Sequence, residues 1–305
     1  MATNDQADDK LVHATHFDQK AGEVVQVSPR VRRIVEDNPG PFTFTGTCTY
    51  IVGRGEVAVI DPGRENESHI AAILAALKGE RIAHIVVSHT HLDHSPGARR
   101  LAERTGAPVV GCAPFSPKPG AQSGLDSSHD TDYAPARVLG DGDTVENDTY
   151  TLTALATPGH AANHLAFALA QERAVFSADH VMAWSTSIVA PPDGSMRDYM
   201  ASLDKLRARD DVVFWPGHGG PVSDPQRYMR ALSHHRRQRE AAILGRLQAG
   251  DRTIPDMVAR IYEGLDPRLT KAAGLSMLAH IEDLVDRGVV IAGGPLTAET
   301  EYRLA

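Results

Sequence analysis

An α/β fold with a smaller, mostly helical module at its C-terminal end is what this sequence predicts, and three observations carry the expectation. Strand and helix signals alternate through the first two thirds of the chain. Apolar, strand-like runs end repeatedly in loops that bear histidine or aspartate. After about Pro221 the pattern turns helical and stays so until a short β-branched stretch near the end. With 305 residues, 42% hydrophobic and 23% charged, the chain has the composition of an ordinary globular protein with enough length for a substantial core.

The elements follow in order. FTFTGTCTYIVG (42–53) and EVAVIDPG (56–63) are β-branched runs around a Gly-rich turn, the pattern of a hairpin. ENESHIAAILAALKG (65–79) has helical spacing, and RIAHIVVSH (81–89) returns to a short apolar strand. SPGARRLAERTG (95–106) reads as a helix with Ser95 as its cap, Pro96 in its first turn and Gly106 at its end. A strand at 107–111 precedes a Pro-, Gly- and Ser-rich stretch, 113–135, of the length associated with functional lids or disorder. Strands are expected at 143–156, 164–170 and 173–178, a helix at 196–209, and a strand at 211–220 that runs into a Gly-rich turn. The tail offers helices at 224–248, 254–263 and 270–286 and a strand-like GVVIAGG at 288–294, the element order of a winged helix. Domain boundaries of 1–222 and 223–305 follow from that change of character.

Charge and cysteine content exclude several classes. The net charge of −8 gives no field for nucleic acid or an anionic membrane surface. Cys48 and Cys112 form neither a CxxC pair nor a disulfide framework, and both are expected to be small core or near-surface residues. The polar, acidic N-terminal stretch lacks an apolar h-region, and no run approaches the ~18 apolar residues of a membrane span. A cytoplasmic location without membrane contact is the expectation.

Within SHTHLDHSPG the chain places His89, His91, Asp93 and His94, an HxHxDH run directly after an apolar strand. Side chains two apart in extended backbone point the same way, so His89 and His91 can converge on one ion while Asp93 and His94 reach a second. Imidazole nitrogen with carboxylate oxygen suits zinc, and also iron or manganese where positions stay open. ATPGH, FSADH and WPGHG each end an apolar strand and contribute His160, Asp179 and His218. Strand ends of this kind would set all of them along one rim of a sheet.

This ordered set resembles the metallo-β-lactamase-fold hydrolase superfamily over nearly all of residues 20–222, with Asp61 of VIDPG as its first motif. The resemblance implies an αββα sandwich and two metal ions, zinc by default with Fe or Mn tolerated. By position it assigns His89, His91 and His160 to the first metal, and Asp93, His94 and His218 to the second, with Asp179 between them. Asp61 would accept hydrogen bonds that orient a ligand-bearing loop. The chemistry implied is hydrolysis by a metal-bridging hydroxide, with Asp93 as the group that orients it and moves its proton. His164, His180 and Trp184 lie near these motifs in sequence and are candidates for the substrate side. His13, His16, His69, His84, His129, His234, His235 and His280 lack motif context and are expected mostly at the surface or in packing.

A bridging aspartate is not the habit of true β-lactamases, so antibiotic hydrolysis is disfavoured. The stretches 157–167 and 177–206 and the tail are similar to β-lactamase-like endoribonucleases with a winged-helix extension, whereas glyoxalase II enzymes carry a different helical domain. RNA is therefore one expected substrate, and a small ester, thioester or lactone is the other. Residues 221–305 hold 12 basic against 11 acidic residues, a net of +1, which is weak for phosphate binding by field alone. The single basic cluster, His234–Arg239, reads as the solvated face of a long helix or as a phosphate contact. The tail can alternatively cover the site's entrance or form a homodimer interface. A mononuclear iron dioxygenase and a noncatalytic nucleic-acid binder are lesser readings that leave part of the ligand set unexplained.

Overall fold

A computed structural model describes residues 10–117 and 128–305; the central part of the 113–135 stretch lies outside the described residues. Two sheets face each other. The first has seven strands in sequential order: β1 (Val24–Ser28), β2 (Val31–Val35), β3 (Cys48–Arg54), β4 (Glu56–Ile60), β5 (Arg81–Val87), β6 (Val109–Gly111) and β7 (Arg137–Val138). The second runs β12-β11-β10-β9-β8, from β8 (Thr144–Asn147), β9 (Tyr150–Ala156), β10 (Leu165–Leu169), β11 (Ala174–Ala178) and β12 (Val213–Pro216). The first two strands, β1 and β2, precede the elements expected from the sequence, which began at residue 42. All five residues of β2 are buried, so it reads as neither amphipathic strand nor helix.

Period-two alternation builds the layers. Leu165, Phe167 and Leu169 of β10 face the core between the sheets, while Ala166 and Ala168 face the opposite side. Small residues on that outer face let helix α3 (Met196–Arg207) lie close, with Tyr199, Leu203 and Leu206 buried against them. On the far side of the first sheet, α1 (Glu67–Ala76) and α2 (Pro96–Thr105) bury Ile70, Ile73 and Leu101. The result is the αββα arrangement expected. Ser95 departs from expectation: its hydroxyl does not cap α2 but donates to Asp130 Oδ2 at 3.0 Å. The expected strand at 143–156 is two, β8 and β9, turned by Asn147, whose side-chain oxygen accepts from the backbone of Thr149 and Tyr150.

The C-terminal part comprises α4 (Pro225–Gln248), α5 (Ile254–Ile261), α6 (Thr270–Asp286) and the antiparallel pair β13 (Val290–Ala292) and β14 (Tyr302–Leu304). Helix α4 serves two cores. Met229 and Leu232 pack with α3 and the second sheet, whereas Ile243 and Leu247 pack with Met257, Met277 and Ile281 of the terminal module. Among the described residues, no helix is long and apolar enough to cross a membrane.

Candidate metal centre

Strand direction explains where the histidines go. In the first sheet β4 and β5 are parallel; in the second, β9 and β11 share a direction because both are antiparallel to β10, and β12 is parallel to β11. Asp61 follows β4, His89 to His94 follow β5, His160 follows β9, Asp179 follows β11 and His218 follows β12, so all seven expected ligands and Asp61 leave the sandwich at one edge. The backbone turns sharply there. Asp61 (φ 48°) and Ala178 (φ 42°) occupy the left-handed region without being glycine, a strained conformation held by its surroundings. Gly217 admits no side chain, because a Cβ would lie 2.4 Å from Asp179 Oδ1 and 2.7 Å from His94 Cε1.

Three nitrogens converge first. His89 Nε2 and His160 Nε2 each lie 3.0 Å from His91 Nδ1. Tetrahedral ligands at zinc–nitrogen bond lengths sit about 3.3 Å apart, so the trio has the spacing of one ion's donors. Asp93, His94 and His218 form a second group: His218 Nε2 is 3.2 Å and His94 Nε2 3.5 Å from Asp93 Oδ2. Asp179 stands between the groups, with Oδ2 at 3.6 Å from His160 Nε2 and 3.3 Å from His218 Nε2, and Oδ1 at 3.5 Å from His94 Nε2.

The donor atoms are aimed and left open. Nδ1–H of His94 donates to Asp61 Oδ2 at 3.0 Å, that of His160 to the Ile188 carbonyl at 2.6 Å, and that of His218 to the Gly46 carbonyl at 3.2 Å. His89 Nδ1–H donates to Ser88 Oγ at 2.9 Å, and Ser88 Oγ donates in turn to Asp61 Oδ2 at 2.6 Å. In the neutral ring, each of these bonds selects the tautomer whose Nε2 lone pair faces inward. His94 Nε2, His218 Nε2 and Asp179 Oδ1 are buried without a well-directed hydrogen bond and meet only one another and Asp93, so protons or a metal ion must hold the group together. The residues present therefore fit a metal centre.

Electrostatics divide the groups. Burial and neighbouring imidazoles hold His89 and His91 well below the ordinary histidine value. Burial pushes His94 and His218 the same way, but the carboxylates of Asp93 and Asp179 outweigh it, leaving His94 well above the ordinary value and His218 at about 9. Against burial, the same histidines hold both carboxyls well below their usual range.

Of the three residues considered for the substrate side, His164 and His180 are buried. His164 lies 5.0 Å from His89 ring to ring, hydrogen-bonded to Thr157 Oγ1, and His180 packs on Tyr199 at 4.5 Å. Their contacts are with the site's own supports. Trp184 stacks on Phe44 at 4.9 Å and lines a cleft beside the centre. Sequence reasoning passed over His129. It sits 4.6 Å from His91 ring to ring, stacks on Phe115 at 3.9 Å, and lies with Nε2 3.5 Å from Asp193 Oδ2. His91, His129 and Asp193 bring further ligand-type atoms together. No local motif marks His129; its one signal is a histidine within a Pro- and Ser-rich stretch between ligand-bearing strands. The basic cluster is also not a uniformly solvated face: His234 and Arg237 are exposed, but Arg236 is buried and His235 and Arg239 half-buried.

Residues 42–218 match the Metallo-beta-lactamase superfamily, and residues 253–295 match the Beta-lactamase associated winged helix domain. The chain belongs to the metallo-β-lactamase superfamily. It is a hydrolase of that superfamily with an appended winged helix. Among its superfamily relatives, the Beta-lactamase-like protein 2 homolog of Caenorhabditis elegans is 29% identical over 276 residues, which is 88% of each chain. An Atrochrysone carboxyl ACP thioesterase of Aspergillus fumigatus is 32% identical over 233 residues, 74% of this chain and 67% of that protein. A beta-lactamase domain protein from Burkholderia ambifaria shares the fold at 20% identity, with a TM-score of 0.78 across 100% of this chain and 99% of that one.

Proposed function

We propose that this protein is a dinuclear metal-dependent hydrolase of acyl esters and thioesters. The observation that carries the reading is Asp179, whose Oδ2 lies 3.6 Å from His160 Nε2 of one triad and 3.3 Å from His218 Nε2 of the other. His89, His91 and His160 would hold one metal, and Asp93, His94 and His218 the other, with zinc the ion this donor set suits best. Bound there, the metals would supply a water acidic enough to ionise at neutral pH and a Lewis acid for the carbonyl oxygen.

The chain's own residues do the rest. Asp61 and Ser88 fix the rings of His94 and His89, so the ligand frame is set before substrate arrives. Asp93 is the most open carboxylate of the centre, with 24% of its side chain accessible against 9% for Asp179. It accepts a proton from the attacking water and delivers it to the departing alcohol or thiol.

Two observations support an acyl substrate. Relatives named as acyl carrier protein thioesterases occur in Aspergillus fumigatus and Claviceps purpurea. A cleft of about 800 Å³ between the loop after Asp179 and the terminal module is walled by Pro191, Pro192, Ile254, Val258, Leu278 and Leu296 and suits an apolar acyl chain. RNA cleavage is the second reading, supported by the winged-helix match alone. The net charge of −8 weighs against it, because binding along a polyphosphate backbone needs a cationic surface.

The test is elemental analysis of the purified full chain together with a panel of acyl thioesters, esters, lactones and RNA. Two zinc ions per chain with thiol release support the proposal. Two zinc ions with cleavage of RNA alone replace the substrate class, and one iron per chain with oxygen uptake overturns the reaction.

A further inference from the structure

A second cleft lies between the loop that follows Asp179 and the C-terminal helices. It measures about 260 Å³ and is lined by Trp184, Ser187, Ile188, Arg236, Arg239 and Tyr262 among others. Its floor is tied to the metal centre by two hydrogen bonds and lies close to it at a third point. Ile188 accepts from His160 Nδ1, Ser187 Oγ donates to the Asp179 carbonyl at 2.6 Å, and the Trp184 ring would sit 3.2 Å from a Cβ at Gly219, next to His218. Ser187 and Ile188 thus line the cleft and hydrogen-bond two candidate ligands, Asp179 and His160.

Arg236 is out of place there by ordinary rules. Met229, Leu232, Arg236, Ile243 and Leu247 form the buried stripe of α4, so a guanidinium occupies a position on an otherwise apolar face. Only 5% of it is exposed. A buried cation without a carboxylate is unfavourable by several kcal/mol unless something else compensates. Compensation is partial: Nη2 donates to the Ser187 carbonyl and the group lies 4.8 Å over the Tyr199 ring, while Nε has no partner. Arg239 stands one turn on, 4.2 Å over the Tyr262 ring, and its Nε is likewise unpartnered. Among the described residues neither arginine forms an ion pair, and no aspartate or glutamate lines the cleft. Burial and the two arginines hold His235 at about 4, so it joins them as a neutral hydrogen-bonding group.

We propose that this cleft is a subsite for the anionic group of the substrate, a carboxylate or a phosphate, held by Arg236 and Arg239. The anion completes the charge balance that the fold leaves open, and a guanidinium pair matches its oxygens in a way that single lysines do not. Tyr199 holds Arg236 from outside the cleft, and Tyr262, itself in the cleft wall, holds Arg239. For the molecule that carries the anion, the inference rests on the acyl hydrolase reading above; for anion binding itself, it does not.

The test uses the zinc-loaded full chain and three thioesters. An acyl-N-acetylcysteamine is neutral, a glutaryl-N-acetylcysteamine carries a carboxylate on the acyl side, and an acyl-phosphopantetheine carries phosphate on the thiol side. The expected result is that one anionic thioester exceeds the neutral one in kcat/KM by about tenfold, a charge-assisted bond's worth. R239Q removes that preference, whereas R237Q on the outer face of the helix keeps it. Whichever arm shows the preference identifies the source of the anion. No preference for either charge, or an equal loss on all three thioesters in R239Q, overturns the proposal. Calorimetric titration with inorganic phosphate separates the two readings. If no thioester is cleaved but phosphate binds and R239Q abolishes binding, the acyl hydrolase reading falls and the anion subsite stands. If phosphate binding is equal in R239Q, the subsite falls.

Discussion

His89 and His94 have ring centroids only 4.3 Å apart, yet one is held neutral by burial and its imidazole neighbours while the other is driven toward its cation by Asp93 and Asp179. Both belong to triads of similar spacing on the same loop. What separates the triads is where the carboxylates were placed: none stands in the first, and the second holds Asp93 and leans on Asp179. The first triad presents lone pairs ready for an ion. The second holds protons that a metal would have to displace, so on the dinuclear reading proposed above the two halves would differ in how metal uptake couples to pH.

Removing the shared carboxylate breaks that comparison most severely. D179N is expected to lose one metal per chain, and kcat/KM should fall a hundredfold or more (about 100-fold being the upper effect of supporting residues alone); elemental analysis and steady-state kinetics read both. D61N leaves the ligands but frees the His94 ring, and it should weaken metal binding at the second triad by about ten- to hundredfold while the first triad stays filled.

The pH dependence of the metal-free protein sharpens the contrast. His218, at about 9 in the fold against 6.5 unfolded, contributes stability that is complete below pH 6.5 and is lost as pH rises through 9; His94 acts in the same direction. Asp93 and Asp179, held low, contribute stability present above about 3.8 and lost only in acid. His89 and His91 add no slope above 6.5, since both folded and unfolded forms are then neutral. The Tm of the metal-free chain should therefore fall between pH 6.5 and 9, and zinc should abolish that fall by replacing the protons. A flat Tm in that window without metal contradicts the assignment of charge to the second triad.

The mildest change is S88A. The Ser88 backbone N–H still holds Asp61 at 2.8 Å, and only the hydroxyl link to His89 disappears. About 1 kcal/mol, or fivefold, is expected in the affinity of the first metal. A larger loss at the second metal would mean that Ser88 acts chiefly through Asp61.

Much of this centre was legible in the sequence. The HxHxDH run is local, and backbone alternation alone aims His89 and His91 together. His160, Asp179 and His218 were readable because each ends an apolar strand in a Gly turn, and strands sharing a direction deliver their ends to one edge. Other features depended on contacts across long separations. His129 reaches His91 only because the chain returns alongside it, as the backbone bridge between the two residues records. Ser95 had the identity and position of a cap, but Asp130, 35 residues away, offered its hydroxyl a stronger partner.

The sequence by itself determined which groups can bind metal, their order along the chain and the sandwich that carries them, because these follow from side-chain chemistry and strand periodicity. Only the tertiary structure decided that the triads titrate in opposite directions and that Arg236 points inward. Proton affinity and burial depend on which charges and surfaces meet across the fold, and Asp93 and Asp179 lie 86 residues apart in a chain that brings both to one imidazole.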